Sequence, residues 1–125
     1  MNVARQVEYW RKSSIEDLEA ALSLVDKGHL RHGLFFANLA IEKMLKAHVT
    51  RCTGDVPPRT HNLVRLCELT NLSPAARDRT FLLEMGVYQL EGRYPDSGPT
   101  GLDAAFVHVE LDRTREFLEW LKNQL

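Results

Sequence analysis

Few residues of this 125-residue chain stand where their chemistry is not already explained by packing. The stretch RYPDSGPTG, residues 93 to 101, sets Arg93, Tyr94 and Asp96 beside two prolines and two glycines. A stiffened backbone there holds a guanidinium and a phenol in fixed relation, as phosphate or base recognition requires. The same residues also suit a structural role, with Arg93 paired to Asp96 or to a helix end and Tyr94 plugging the core. Charge adds a second indication. From Lys43 to Arg65 five cations (Lys43, Lys46, Arg51, Arg59, Arg65) face one acid, Asp55, a local balance of +4 that His48 and His61 raise when protonated. From Glu84 to Glu119 eight acids face three arginines, a balance of −5. That asymmetry permits an anionic ligand near the first loop and a complementary contact between chains. Glu42 and Lys46 equally make an ordinary helix pair at the favourable spacing.

Other chemistries find less support. Cys52 and Cys67 lack the C-x-x-C spacing of zinc or redox sites and read as two free thiols. His29 and His32 can share a helix face, but no third ligand stands at a matching spacing, so neither a metal nor any other cofactor is expected. With 16 basic and 17 acidic side chains the net charge is −1, which excludes a strongly basic nucleic-acid protein and an acidic disordered tail. No apolar run approaches the roughly 18 residues of a membrane span, and the first twenty residues hold no signal-like apolar block. A cytoplasmic protein with no membrane partner is expected.

The elements that must position these residues are helical. Val3, Val7, Trp10, Leu18, Ala21, Leu22 and Val25 recur at three- and four-residue steps, with Ser14 filling the missing one. They predict one long helix from about Val3 to Lys27, ended by Gly28, rather than a start at the Ser13–Glu16 capping box. Leu34, Ala37, Ile41, Leu45 and His48 continue the period from about Leu30 to Thr50, in an antiparallel hairpin with the first helix. Gly54, Pro57 and Pro58 make residues 50 to 60 a loop. Thr60 caps a short helix carrying Leu63, Leu66 and Leu69, to about Thr70. Ser73 and Pro74 signal the start of the next helix, which carries Phe81, Met85 and Tyr88 and stops near Gly92. A last helix runs from about Leu102 through Phe106, Val109, Phe117 and Trp120. No segment alternates as a strand does. One all-α domain over residues 1–125 is expected, an up-and-down bundle of four long helices plus one short helix.

In that order, the helix with Trp10, IEKMLKAHV at 41 to 49, THNLVRL at 60 to 66 and GRYPD at 92 to 96 resemble the HEPN domains of prokaryotes. The resemblance covers nearly the whole chain. It implies a helical homodimer whose functional groups meet at the interface, and a place in a toxin–antitoxin module whose partner is a minimal nucleotidyltransferase. Active relatives are metal-independent ribonucleases marked by Arg, four to six intervening residues, then His. The Arg falls on Arg93, but the positions for His are Gly98, Pro99 and Thr100. The expectation is therefore a protein that binds RNA or a nucleotide at a dimer groove through Arg93, Tyr94, Asp96, Lys46 and His61, with a degenerate ribonuclease motif. Two alternatives stand beside it. One is an active ribonuclease toxin whose acid/base role has moved to His61 or His108, or to Tyr94 and Asp96. The other is a structural subunit that dimerises and caps a nucleotidyltransferase. Tyr94 occupies a position that such a partner enzyme would modify.

Overall fold

The computed structural model describes residues 1–91 and 102–125. Its first helix, α1 (Val3–Asp26), begins where the Asn2 side chain accepts the Arg5 N–H at 3.1 Å and ends where Gly28 turns to φ 86°. It is the long helix that the periodicity predicts. Ser14, the polar residue in its apolar stripe, is fully buried and donates its hydroxyl to the Ala40 carbonyl at 2.6 Å. A seryl group fits the α1–α2 contact because this bond satisfies it there.

The second helix, α2 (Leu30–Thr53), runs three residues further than the loop signals suggest. Arg51, Cys52 and Thr53 complete a last turn closed by Gly54 in the left-handed region (φ 70°), whose N–H meets the Thr50 carbonyl at 2.8 Å. The α1–α2 turn is tight because Gly33 has no side chain. A Cβ there would collide with the Val25 side chain and stand 3.1 Å from the Ala21 carbonyl oxygen.

α2 is the axis of the domain. It packs against α1 and α3 (Leu63–Glu68) as well as α4 (Ala76–Glu91) and α5 (Ala104–Gln124). Neighbours on several sides explain why almost every residue from Ala37 to Thr50 is buried, polar ones included. Leu34, Ile41, Met44 and Leu45 of α2 meet Phe81, Leu82 and Met85 of α4 and Leu111 and Leu121 of α5 in one core. All five helices are present as expected, and no strand occurs among the described residues.

The differences lie at helix starts and on two faces. Asn62, not Thr60, caps α3, accepting the Arg65 N–H at 3.0 Å, while the Thr60 hydroxyl accepts the Asn62 N–H at 3.2 Å. The Thr60 and Asn62 side chains form a relay, and the residue nearer the helix takes the cap. Ser73 and Pro74 do not open α4. Its first turn closes on the Ala75 carbonyl, which accepts from Asp78 and Arg79 at 2.9 and 3.1 Å. Ser73 and Pro74 instead help line a cavity of about 230 Å³ with Cys67, Leu72 and Leu82. Asp103 caps α5, accepting the Phe106 N–H at 2.7 Å, so that helix starts two residues after Leu102. Finally, Phe106 and Val109, two of the apolar residues that marked the last helix in the sequence, face outward; Val107, Glu110, Leu111 and Thr114 take the buried side.

Candidate functional site

Glu42 and Lys46 lie one turn apart on α2, on a face closed by Trp10 of α1 and by the start of α3. Both are buried. The Lys46 ammonium donates to Glu42 Oε2 at 3.1 Å and sits 5.4 Å from the centroid of the Trp10 ring. From the other side His61, the residue before the α3 cap, brings Nδ1 to 2.9 Å of Glu42 Oε1. A carboxylate only accepts, so Nδ1 carries the proton and donates it. Nε2 lies on the other edge of a ring whose side chain is 49% exposed. One buried acid is thus bonded at both oxygens, by a lysine one helical turn away and by a histidine nineteen positions away in sequence.

This arrangement brings together two of the sequence-derived candidates, Lys46 and His61. The ligand that joins them, Glu42, was visible only as half of a helix pair. Its second role depends on the path of residues 54 to 61, which no periodicity specifies. Arg93, Tyr94 and Asp96 lie outside the described residues. The flanking cations Arg59 and Arg65 are exposed. Lys43, also in the basic stretch, is used within the fold, with its ammonium 2.7 Å from Asp17 Oδ2 and 2.8 Å from the Ser13 hydroxyl.

The remaining histidines separate clearly. His48 is buried, with Nε2 2.7 Å from the Leu121 carbonyl. Burial pushes its pKa down, against the carbonyl bond that favours the charged form and with a small contribution from Arg51. It is a neutral core residue joining α2 to α5. His108 is exposed on α5. His29 and His32 do share a face, their rings 6.3 Å apart and edge to face.

A second polar group, absent from the sequence-derived set, occupies the seam of α2, α4 and α5. Asn38 donates from Nδ2 to the Met85 carbonyl at 2.7 Å. One residue earlier on α4, Glu84 shares Arg113 with Glu110, at 3.1 and 3.2 Å, and the guanidinium lies 4.6 Å over the Phe81 ring. Glu110 is only 3% exposed. Among the described residues, Glu110 Oε2 and Asn38 Oδ1 are buried without a hydrogen-bond partner. The i, i+3 spacing of Glu110 and Arg113 was the available signal; nothing in the sequence marked Asn38. Outside this seam, Leu83 and Val87 of α4 and Phe106 and Val109 of α5 are between 40% and 65% exposed. These are the two helices that residues 92–101 connect.

A family model described as "HEPN domain" matches residues 7–124 of the chain. Two solved structures share the fold. TT1696 from Thermus thermophilus is 22% identical over the whole of both chains, with a TM-score of 0.84. The archaeal HEPN homologue ST0689 is 22% identical over 95% of this chain and 97% of its own, with a TM-score of 0.74. No curated protein matches the chain.

Proposed function

Because the chain belongs to the HEPN domain family, we propose that it binds RNA, or the phosphates of a nucleotide, in a groove between two copies of itself. In this reading it is one component of a module with a minimal nucleotidyltransferase. The observation that carries the reading is the run of exposed apolar residues on α4 and α5, Leu83, Val87, Phe106 and Val109. Leu83 and Val87 stand one turn apart on α4, as do Phe106 and Val109 on α5; apolar side chains left in water at such spacing suit an association surface, and these are the helices joined by the segment that bears Arg93. A two-fold contact through that surface would bring the two Arg93 segments toward one groove. Arg93 supplies a permanent cation for phosphate, Tyr94 a ring and hydroxyl, and Asp96 an acceptor for base or ribose. His61, flanked by exposed Arg59 and Arg65, supplies a further polar contact, and Lys46 acts through its bond to Glu42.

Fluorescence anisotropy of a labelled single-stranded RNA, measured in chelator against the parent and Arg93→Ala, tests this reading. The variant is expected to bind at least about tenfold more weakly with an unchanged melting temperature, as loss of one charge-assisted phosphate contact implies. Unchanged binding together with a sharp drop in melting temperature would make Arg93 structural and end the reading. Gly98, Pro99 and Thr100 replace the histidine of the ribonuclease motif, so binding, rather than fast cleavage, is the primary activity of this groove.

A further inference from the structure

Ser73 and Pro74, the helix-start signal that the fold does not use, belong to the wall of a half-enclosed cavity between α3 and α4. Its volume is about 230 Å³, and Val64, Leu72, Pro74 and Leu82 make its lining mostly apolar. An apolar cavity of about 150 Å³ holds a benzene ring, and drug-sized ligands occupy about 300–1,000 Å³. The space therefore suits one compact apolar side chain. Two opposite charges stand at the same cavity. Glu68 ends α3 and Arg79 lies near the start of α4, the helix ends at which the dipole disfavours an acid and a cation respectively. Both are exposed, and among the described residues neither is in an ion pair with the other or with a third residue. Cys67, in the same wall, is 7% exposed. Burial pushes its pKa up; Thr70 and the charge of Arg79 pull it back, and the charge of Glu68 adds to the rise. Both charges thus act on one thiol, which stays protonated near neutral pH and is no nucleophile.

We propose that this cavity binds a free amino acid with a compact apolar side chain, held as the zwitterion. The side chain fills the space lined by Val64, Leu72 and Leu82. Arg79 takes the carboxylate, for which a guanidinium is the fitting donor, and Glu68 takes the ammonium. A residue inside a peptide offers neither charge and a peptide terminus only one, so a pair of opposite signs selects the free amino acid. Binding makes and breaks no covalent bond. The site lies apart from the exposed apolar residues of α4 and α5 on which the RNA-binding reading rests, and it stands or falls independently of that reading.

Isothermal titration of the full chain with L-leucine, L-methionine and L-phenylalanine tests the proposal. At least one of them is expected to saturate a single site per chain. Arg79→Ala and Glu68→Ala, both at exposed positions, should each weaken that binding at least about tenfold, as loss of a charge-assisted contact implies, with unchanged melting temperatures. The amide of the same amino acid lacks the carboxylate and its N-acetyl derivative lacks the ammonium; each should lose affinity by a similar factor. At saturation the bound amino acid should also slow alkylation of Cys67 by iodoacetamide and leave exposed Cys52 unaffected. Absence of saturable binding by all three amino acids would overturn the proposal. So would binding that survives both substitutions, or a Cys67 alkylation rate that saturation leaves unchanged. An N-acetyl derivative bound as tightly as its parent would also overturn it, and would make the cavity a site for a peptide C-terminus instead.

Discussion

Two buried acids of the same bundle are held on different terms. At the junction of α1, α2 and α3, Glu42 is bonded at both oxygens, by Lys46 and His61. At the seam of α2, α4 and α5, Arg113 is shared between Glu84 and Glu110, while Glu110 Oε2 and Asn38 Oδ1 find no partner among the described residues. A buried acceptor without a donor costs roughly 1–3 kcal/mol, so Glu110 carries a burden that Glu42 does not. Its seam is also flanked by apolar side chains facing water. The acid of the first region is satisfied within one chain, whereas the second region carries the exposed apolar side chains on which the proposed association rests.

The sharpest way to break this comparison is Lys46→Ala. It strands a buried carboxylate whose other partner, His61, is half exposed, and is expected to destabilise the fold by about 3 kcal/mol in urea unfolding. Lys46→Met combined with Glu42→Leu should recover most of that loss, since apolar groups of similar size do not need a partner there. A small loss in the single variant would mean that water already serves Glu42 and that the region is less closed than its distances state. Next in size is Gly33→Ala at the turn that sets α1 against α2. The new methyl group collides with Val25, and overpacking of this kind typically costs about 1–3 kcal/mol, beyond the roughly 1 kcal/mol that alanine regains in a helix. Adding Val25→Ala should return part of the stability by making room.

What the sequence reveals and what it conceals follow the same division. Period and caps made α1, α2 and the order of helices legible, down to Ser14 sitting inside an apolar stripe. The faces of α5 were not, because Val107 and Val109, or Phe106 and Leu111, are chemically alike and only the packing partners decide which of them turn inward. The pairing of Glu42 with Lys46 could be read from their spacing; the addition of His61 could not, since it depends on how a proline-containing loop returns to α2. Asn38, which no sequence signal marked, holds α2 to α4 through the Met85 carbonyl. Arg93, Tyr94 and Asp96 rest on the sequence motif alone.

Smaller effects sharpen the contrast. Glu110→Gln is expected to change stability by less than about 1 kcal/mol, because its bond to Arg113 is made to a partly solvated guanidinium and salt screens such pairs. A loss as large as that of Lys46→Ala would show the α4–α5 seam to be as self-contained as the first region. His48 gives the smallest signal and a definite sign. Its folded pKa lies below the ordinary value of 6.5 because burial disfavours the cation, so the unfolded chain binds the proton first. Its contribution to stability is full above pH 6.5 and is lost as pH falls through the lowered folded value. Unfolding midpoints measured across that window should fall toward acid in the parent and fall less in His48→Gln.

The central claim, an RNA site completed by two copies, is met most directly by sedimentation velocity of a labelled RNA with excess protein, in parallel for the parent and Phe106→Asp. The label is expected to move with two 14.3 kDa chains, and Phe106→Asp, which places a charge on the exposed apolar face, is expected to be a folded single chain that releases the RNA. RNA carried by one chain of the parent, or carried equally well by a monomeric Phe106→Asp, would contradict it.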